Sequence, residues 1–219
     1  MSNYGIFYAV PSNLRERYLS FEKFSNPHVD ETVYEERKDI IINRIPENHE
    51  ILKELLLSEE TPFFYVNKGR ETKTVKEAAE HLGIIEKSVS KTIVAHNSEN
   101  NATSDEVYLL TVNGNGQIQM HTGINTRKPD MTIKTLKQAD ASLIERSTGM
   151  APGWCSPFPL NENYSDNIKY ILFKEKYARK RDFVEFAVSP MEAIFLQGEE
   201  IYRMLKKKYP NKVFLFRDN

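Results

Sequence analysis

Two kinds of side chain in this 219-residue sequence invite a search for reactive chemistry, a single cysteine and five histidines. Cys155 paired with His28, His49, His81, His96 or His121 would be a thiolate nucleophile with its base. No nucleophile motif surrounds the cysteine, so it reads as a half-buried loop thiol. One cysteine alone makes neither an internal disulfide nor a structural zinc site, and no histidine spacing of the H-x-x-x-H kind points to a metal. The phosphate-cradling G-x-x-x-x-G-K-S/T and G-x-G-x-x-G patterns are both missing from the sequence.

A different chemistry is written in residues 147–159, STGMAPGWCSPFP. The chain has only nine glycines and ten prolines, yet this stretch holds two of the first and three of the second. Proline fixes φ and glycine opens backbone space closed to other residues, so together they hold an irregular loop in one shape. Such a loop either crosses a sheet edge for structural reasons or aims backbone N–H groups at a developing oxyanion. Lys91 stands beside it in interest. In Val89-Ser90-Lys91-Thr92-Ile93-Val94 strand alternation puts the lysine on the face of Val89 and Ile93, where it guards a sheet edge or is held in a cleft for use. A third feature is the basic run Lys169, Lys174, Lys176, Arg179, Lys180 and Arg181, offset locally only by Glu175. By itself it is a solvated face or an anion-binding one.

The elements that must position these residues follow from hydrophobic period and turn chemistry. Residues 46–57 read as a helix with Ile51, Leu52, Leu55 and Leu56 on one face. Thr74-Val75-Lys76-Glu77 is a capping box opening a helix that Gly83 ends. Residues 62–67, 89–96, 106–112, 117–121, 168–173, 183–188 and 192–196 read as strands. Asn113-Gly114-Asn115-Gly116 is the expected hairpin turn between the third and fourth of these. A short helix around 139–146 precedes the loop, and 199–208 is a closing helix. This irregular interleaving predicts an α+β fold with a mixed sheet rather than a doubly wound one.

Hydrophobic residues make up 40% and charged residues 28%, the balance of a globular chain. No apolar run reaches the ~18–20 residues of a membrane helix, and the N-terminus has no basic-then-apolar leader pattern, so a cytoplasmic location is expected. The formal net charge of −1 conceals an asymmetry. Residues 1–60 carry seven Lys+Arg against twelve Asp+Glu, and the remainder 23 against 19. The expected organisation is a mainly helical N-terminal appendage over 1–60 and a second unit over 61–219.

Three segments, in this order, resemble the YbaK/ProX-type aminoacyl-tRNA deacylases, which include the editing domain of bacterial prolyl-tRNA synthetase. They are Ala78-Ala79-Glu80 with Gly83, Lys91-Thr92, and Thr148-Gly149…Gly153…Ser156-Pro157. The resemblance covers about residues 61–205. It departs from the family pattern at bulky Trp154, at Phe186-Ala187-Val188-Ser189-Pro190 in place of a glycine-rich turn, and at a shortened helix over 125–136. It implies a strongly curved mixed sheet with surrounding helices, and hydrolysis of the ester of mischarged aminoacyl-tRNA in trans, without cofactor or metal. Lys91 and Gly153 would be catalytic. Thr74, Gly149, Met150, Trp154, Cys155, Ser156 and Pro157 would bind substrate. Lys174, Lys176, Arg179, Lys180 and Arg181 would bind tRNA, and an aminoacyl-tRNA synthetase is an expected partner. The alternative is a non-catalytic tRNA- or ligand-binding module with a degenerate pocket.

Overall fold

The computed structural model describes residues 5–9, 31–34, 38–99, 104–120, 124–126, 132–133 and 135–217. Its elements run β1 (Gly5–Ala9), β2 (Glu31–Tyr34), α1 (Lys38–Ile42), α2 (Glu50–Ser58), β3 (Phe63–Asn67), α3 (Val75–Leu82), β4 (Ser90–Asn97) and β5 (Val107–Asn113). After β6 (Ile124–Thr126), β7 (Thr132–Ile133) and β8 (Leu136–Gln138) come α4 (Ala141–Thr148), α5 (Glu162–Asn167) and β9 (Ile168–Lys174). The chain closes with α6 (Glu175–Ala178), β10 (Phe183–Ser189), β11 (Glu192–Gln197), α7 (Gly198–Lys208) and β12 (Val213–Arg217).

The class is α+β, with mixed, strongly curved β-structure flanked by helices, as the sequence predicts. Strand order is β10-β11-β3-β1-β2 in one sheet and β7-β6-β12-β9-β5-β4-β8 in the other. A single bridge, Val89 to Glu185, ties the start of β4 to β10. Helical local signals behave as written. Thr74 caps α3 by accepting from the Glu77 N–H at 3.1 Å, and Glu77 Oε2 accepts from the Lys73 N–H at 2.8 Å. Gly83 closes the same helix in the left-handed conformation, with φ of 67°.

Two expectations fail. The turn at 113–116 forms, with the Gly116 N–H donating to the Asn113 carbonyl at 2.7 Å, but residues 117–119 are not a strand and no hairpin follows. Both edges of β5 are already occupied, by β4 antiparallel and β9 parallel, which leaves no ladder for a returning strand. Gly114 serves close packing instead of positive φ, since a Cβ there would lie 2.4 Å from both the Glu86 carbonyl oxygen and the Val75 side chain. The sequence reading also stops at the closing helix and omits β12, which pairs parallel with β9 through Val213 to Phe216.

Two short helices, α1 and α2, lie within residues 38–58, and β1 and β2 extend the β3 sheet edge. Ile41, Ile42, Ile45, Ile51, Leu52, Leu55 and Leu56 are buried in the same cluster as Phe63, Tyr65, Ile144, Phe158, Val184 and Phe186. The change of charge near residue 60 is therefore not a gap in packing. Among the described residues no helix is long and apolar enough to cross a membrane.

Candidate active site

Strand β4 is paired by β5 on one side from Ser90 to Ala95, but β8 meets it on the other side only from Ala95 onward. Residues Ser90 to Val94 of the strand line a cavity of ≈ 450 Å³. That size falls within the roughly 300–1,000 Å³ of small-molecule sites. The remaining walls are the start of α3 with the residues before it (Lys68, Thr72–Lys76), the loop Pro152–Cys155, and Glu185 and Ala187 of β10. Lys91 is both things its pattern allows, a residue at the open edge of a strand and one wall of a cleft.

The loop is shaped by bonds within a few residues. Gly149 ends α4 in the left-handed conformation, its N–H donating to the Glu145 carbonyl at 2.8 Å, and a Cβ on it would lie 2.6 Å from the Tyr164 ring. The Met150 N–H donates to Thr148 Oγ1, the Ser156 N–H to Met150 Sδ, and the Phe158 N–H to Ser156 Oγ. Met150, Ser156 and Pro157 are buried and, like Gly149, do not line the cavity; they hold the loop rather than face its contents. Gly153 does line it, with φ of 97° and so close to the segment before α3 that a Cβ would stand 2.9 Å from the Lys73 carbonyl oxygen. Among the described residues nothing accepts from the Gly153 N–H, whereas the Trp154 N–H donates to the Ala151 carbonyl at 3.2 Å. Of the loop N–H groups that could face an oxyanion, the fold leaves the glycine's available and engages the tryptophan's.

Trp154 and Cys155 also face the cavity. The indole leans on His49, ring centroids 6.3 Å apart, and burial pushes that imidazole down to about 4, so it is neutral at physiological pH. Burial pushes the Cys155 thiol up to about 12, and it donates to the Ala151 carbonyl. A thiol held protonated is not a nucleophile. Thr74 lines the cavity too while its hydroxyl oxygen caps α3.

Sequence reasoning missed the cavity's most buried charges. Lys68 is 2% exposed, donates to Thr72 Oγ1 at 2.7 Å, and is held below the ordinary lysine range by burial. Glu185 is 1% exposed, and burial raises it to about 7 against the pull of Lys68. A charged residue inside the apolar strand Phe183-Val184-Glu185-Phe186 was the available signal, of the same kind as the one that marked Lys91.

The basic run lies elsewhere and is largely engaged. Arg179 and Arg217 pair with Glu175, Arg181 pairs with Glu199 at 3.4 Å, and Lys174 donates to the Gln117 carbonyl. Lys180 donates to the Lys87 carbonyl at 2.8 Å, next to the cavity residue Glu86. Lys176 is exposed.

A profile of the aminoacyl-tRNA editing domain family matches residues 69–203. A hypothetical protein of known crystal structure aligns at 19% identity with a TM-score of 0.57, over 77% of this chain and 98% of its own. A scaffold protein from computational epitope-backbone grafting aligns at 16% identity and 0.52, over 80% and 98%. A candidate trans-editing enzyme for prolyl tRNA synthetase aligns at 20% identity and 0.48, over 68% and 82%. The first two likenesses are likenesses of fold. No curated relative matches the sequence.

Proposed function

The chain belongs to the aminoacyl-tRNA editing domain family, and on that premise we propose that it is a YbaK/ProX-type deacylase acting in trans on mischarged aminoacyl-tRNA. The observation that carries this reading is the meeting of Lys91, Gly153 and Trp154 on one cavity although they come from a strand and a distant loop. Ester hydrolysis passes through a tetrahedral oxyanion, and the Gly153 N–H is a donor with no competing acceptor among the described residues. Lys91 supplies a point charge for the terminal phosphate or the acyl group. Water is the nucleophile, which agrees with a cysteine kept protonated by burial.

Lys73 and Lys76 stand exposed at the cavity, where the last phosphates of a tRNA would pass. Thr74, Trp154 and Cys155 bound the acyl group; Gly149, Met150, Ser156 and Pro157 act through the shape of the loop. Residues 61–219 form the deacylase unit, and residues 1–60 support it through α1 and α2. Lys176 and Lys180, with Lys174, Arg179 and Arg181, offer the tRNA backbone a secondary contact. The test is a deacylation panel with tRNAs mischarged with alanine, cysteine and serine. Hydrolysis of at least one, above the spontaneous rate, is the expected result. Retained tRNA binding with no hydrolysis of any would establish the binding-module reading instead.

A further inference from the structure

Glu185 sits on β10 between two neighbours, paired with Phe195 of β11 on one side and bridged to Val89 on the other. The backbone is therefore fixed, and the side chain is directed at the cavity it lines. Among the described residues its Oε1 is buried with no hydrogen-bond partner. Lys68, the cation that acts on it, gives its hydrogen bond to Thr72 and makes no direct ion pair with the carboxylate. A buried carboxylate oxygen without a donor is unfavourable unless a ligand supplies one.

Of the charges lining the cavity, Lys73, Lys76 and Glu86 are exposed, Lys91 is half-buried, and Lys68 and Glu185 are both nearly inaccessible. Lys68 is held by Thr72, so the Glu185 carboxyl is the deep charge with an open hydrogen-bonding position. An aminoacyl ester carries its anionic nucleotide and its ammonium at opposite ends, so its nucleotide can stay with the lysines at the rim while its ammonium reaches that carboxylate.

We propose that Glu185 is the receptor for the free α-ammonium group of the bound aminoacyl ester, accepting its N–H at the unpartnered Oε1 at the closed end of the cavity. This rests on the deacylase reading and adds a substrate requirement to it, an acyl group whose α-amine is unblocked. The polar groups that act on Glu185 are the Lys68 ammonium and the Tyr177 hydroxyl, and both are engaged elsewhere, with Thr72 and with Ser90. The carboxylate also fixes the direction in which the acyl group lies, with its ester toward Gly153 and Lys91.

The experiment uses the full chain and two non-hydrolysable probes, 3′-alanylamino-3′-deoxyadenosine and its N-acetyl derivative, with binding measured by calorimetry. Wild type is expected to prefer the free amine by about tenfold or more, the size of one charge-assisted hydrogen bond. Glu185→Gln is expected to bring the two affinities to near parity, chiefly by weakening the free-amine probe. Glu185→Asp provides a second variant in which the preference is reduced but kept. Equal affinity of wild type for the two probes, or binding of neither, overturns the inference. So does a preference that survives in the Gln variant, which would place the ammonium elsewhere. Alanyl-tRNA hydrolysis by wild type without amine preference leaves the deacylase reading standing while the ammonium site falls. Amine preference without hydrolysis of any mischarged tRNA does the reverse.

Discussion

The loop over 147–160 and the basic segment over 169–181 are both conspicuous in sequence, and the fold treats them in opposite ways. In the loop, both glycines meet a specific geometric need. Gly149 has no room for a Cβ beside Tyr164, and Gly153 has none beside the Lys73 carbonyl. In the basic segment, Arg179 pairs with Glu175 one turn away, and other charges find Glu199 and backbone carbonyls supplied by other elements. Proline restricts and glycine widens the conformations of its own backbone, so both act where they stand; a surface charge acts only through what faces it, which sequence order seldom reveals.

The largest effect that separates the two regions belongs to the cavity. Lys91→Ala is expected to lower deacylation by about 10²–10³, the range for loss of one charge-stabilising group, while the thermal midpoint stays nearly unchanged. A large loss of stability with full activity per folded molecule would return Lys91 to the role of an edge residue.

Within the loop, the two glycines should part company. Gly149→Ala forces a side chain into the left-handed region and against the Tyr164 ring, so urea unfolding should show a loss of up to about 4 kcal/mol. Gly153→Ala meets the same left-handed penalty at φ 97° and the Lys73 backbone carbonyl at 2.9 Å, so it too should lose stability, but it alone should also lower turnover per folded molecule, read as kcat. Unchanged kcat in both variants would mean that the loop acts only as structure.

Stability against pH sharpens the contrast between buried and exposed charge. Burial raises Glu185 from 4.5 to about 7 in the folded chain. Between those values the folded state holds a proton that the unfolded state has released, so stability falls as pH rises through this window. Glu185→Gln removes that loss and should be up to about 3 kcal/mol more stable than wild type at pH 8, with little difference at pH 4. His49 acts with the opposite sign. Its folded value of about 4 lies below the ordinary 6.5, so its contribution is full above 6.5 and lost as pH falls toward 4. The two offset in wild type, and denaturant titrations of the Gln variant should expose a stability that rises with pH between 4 and 6.5. A flat profile in both proteins would show that neither group is buried in solution as it is here.

The smallest effects are expected in the basic segment. Lys176→Ala should reduce the slope of log affinity for tRNA against log salt by about one unit, without preference among tRNA sequences. Arg181→Ala, already paired with Glu199, should change it less. An equal and large effect of both would raise this segment to the rank of a primary tRNA contact.

Features set by bonds among neighbouring residues were legible in the sequence. The capping box at Thr74 and Glu77, the helix stop at Gly83 and the apolar face of α2 all form as spacing predicts, because their partners lie within one or two helical turns. Lys91 and the loop were legible as unusual residues for the same local reason. Their meeting on one cavity was not, since it depends on β4 losing β8 as a neighbour before Ala95 and on the Lys73 backbone packing against Gly153. The Asn-Gly turn at 113–116 shows the limit most sharply: its local chemistry permits a hairpin, but β9 occupies the edge of β5 that a returning strand would need. Glu185 shows the same from the side of charge. Its identity was plain in an apolar strand, but its burial, its unpartnered oxygen and the Lys68 ammonium nearby exist only once β10 and the segment after β3 are brought together. Hydrogen bonds over three or four residues are written in order along the chain; burial and the sharing of a cavity are properties of distance in space, which only the tertiary fold decides.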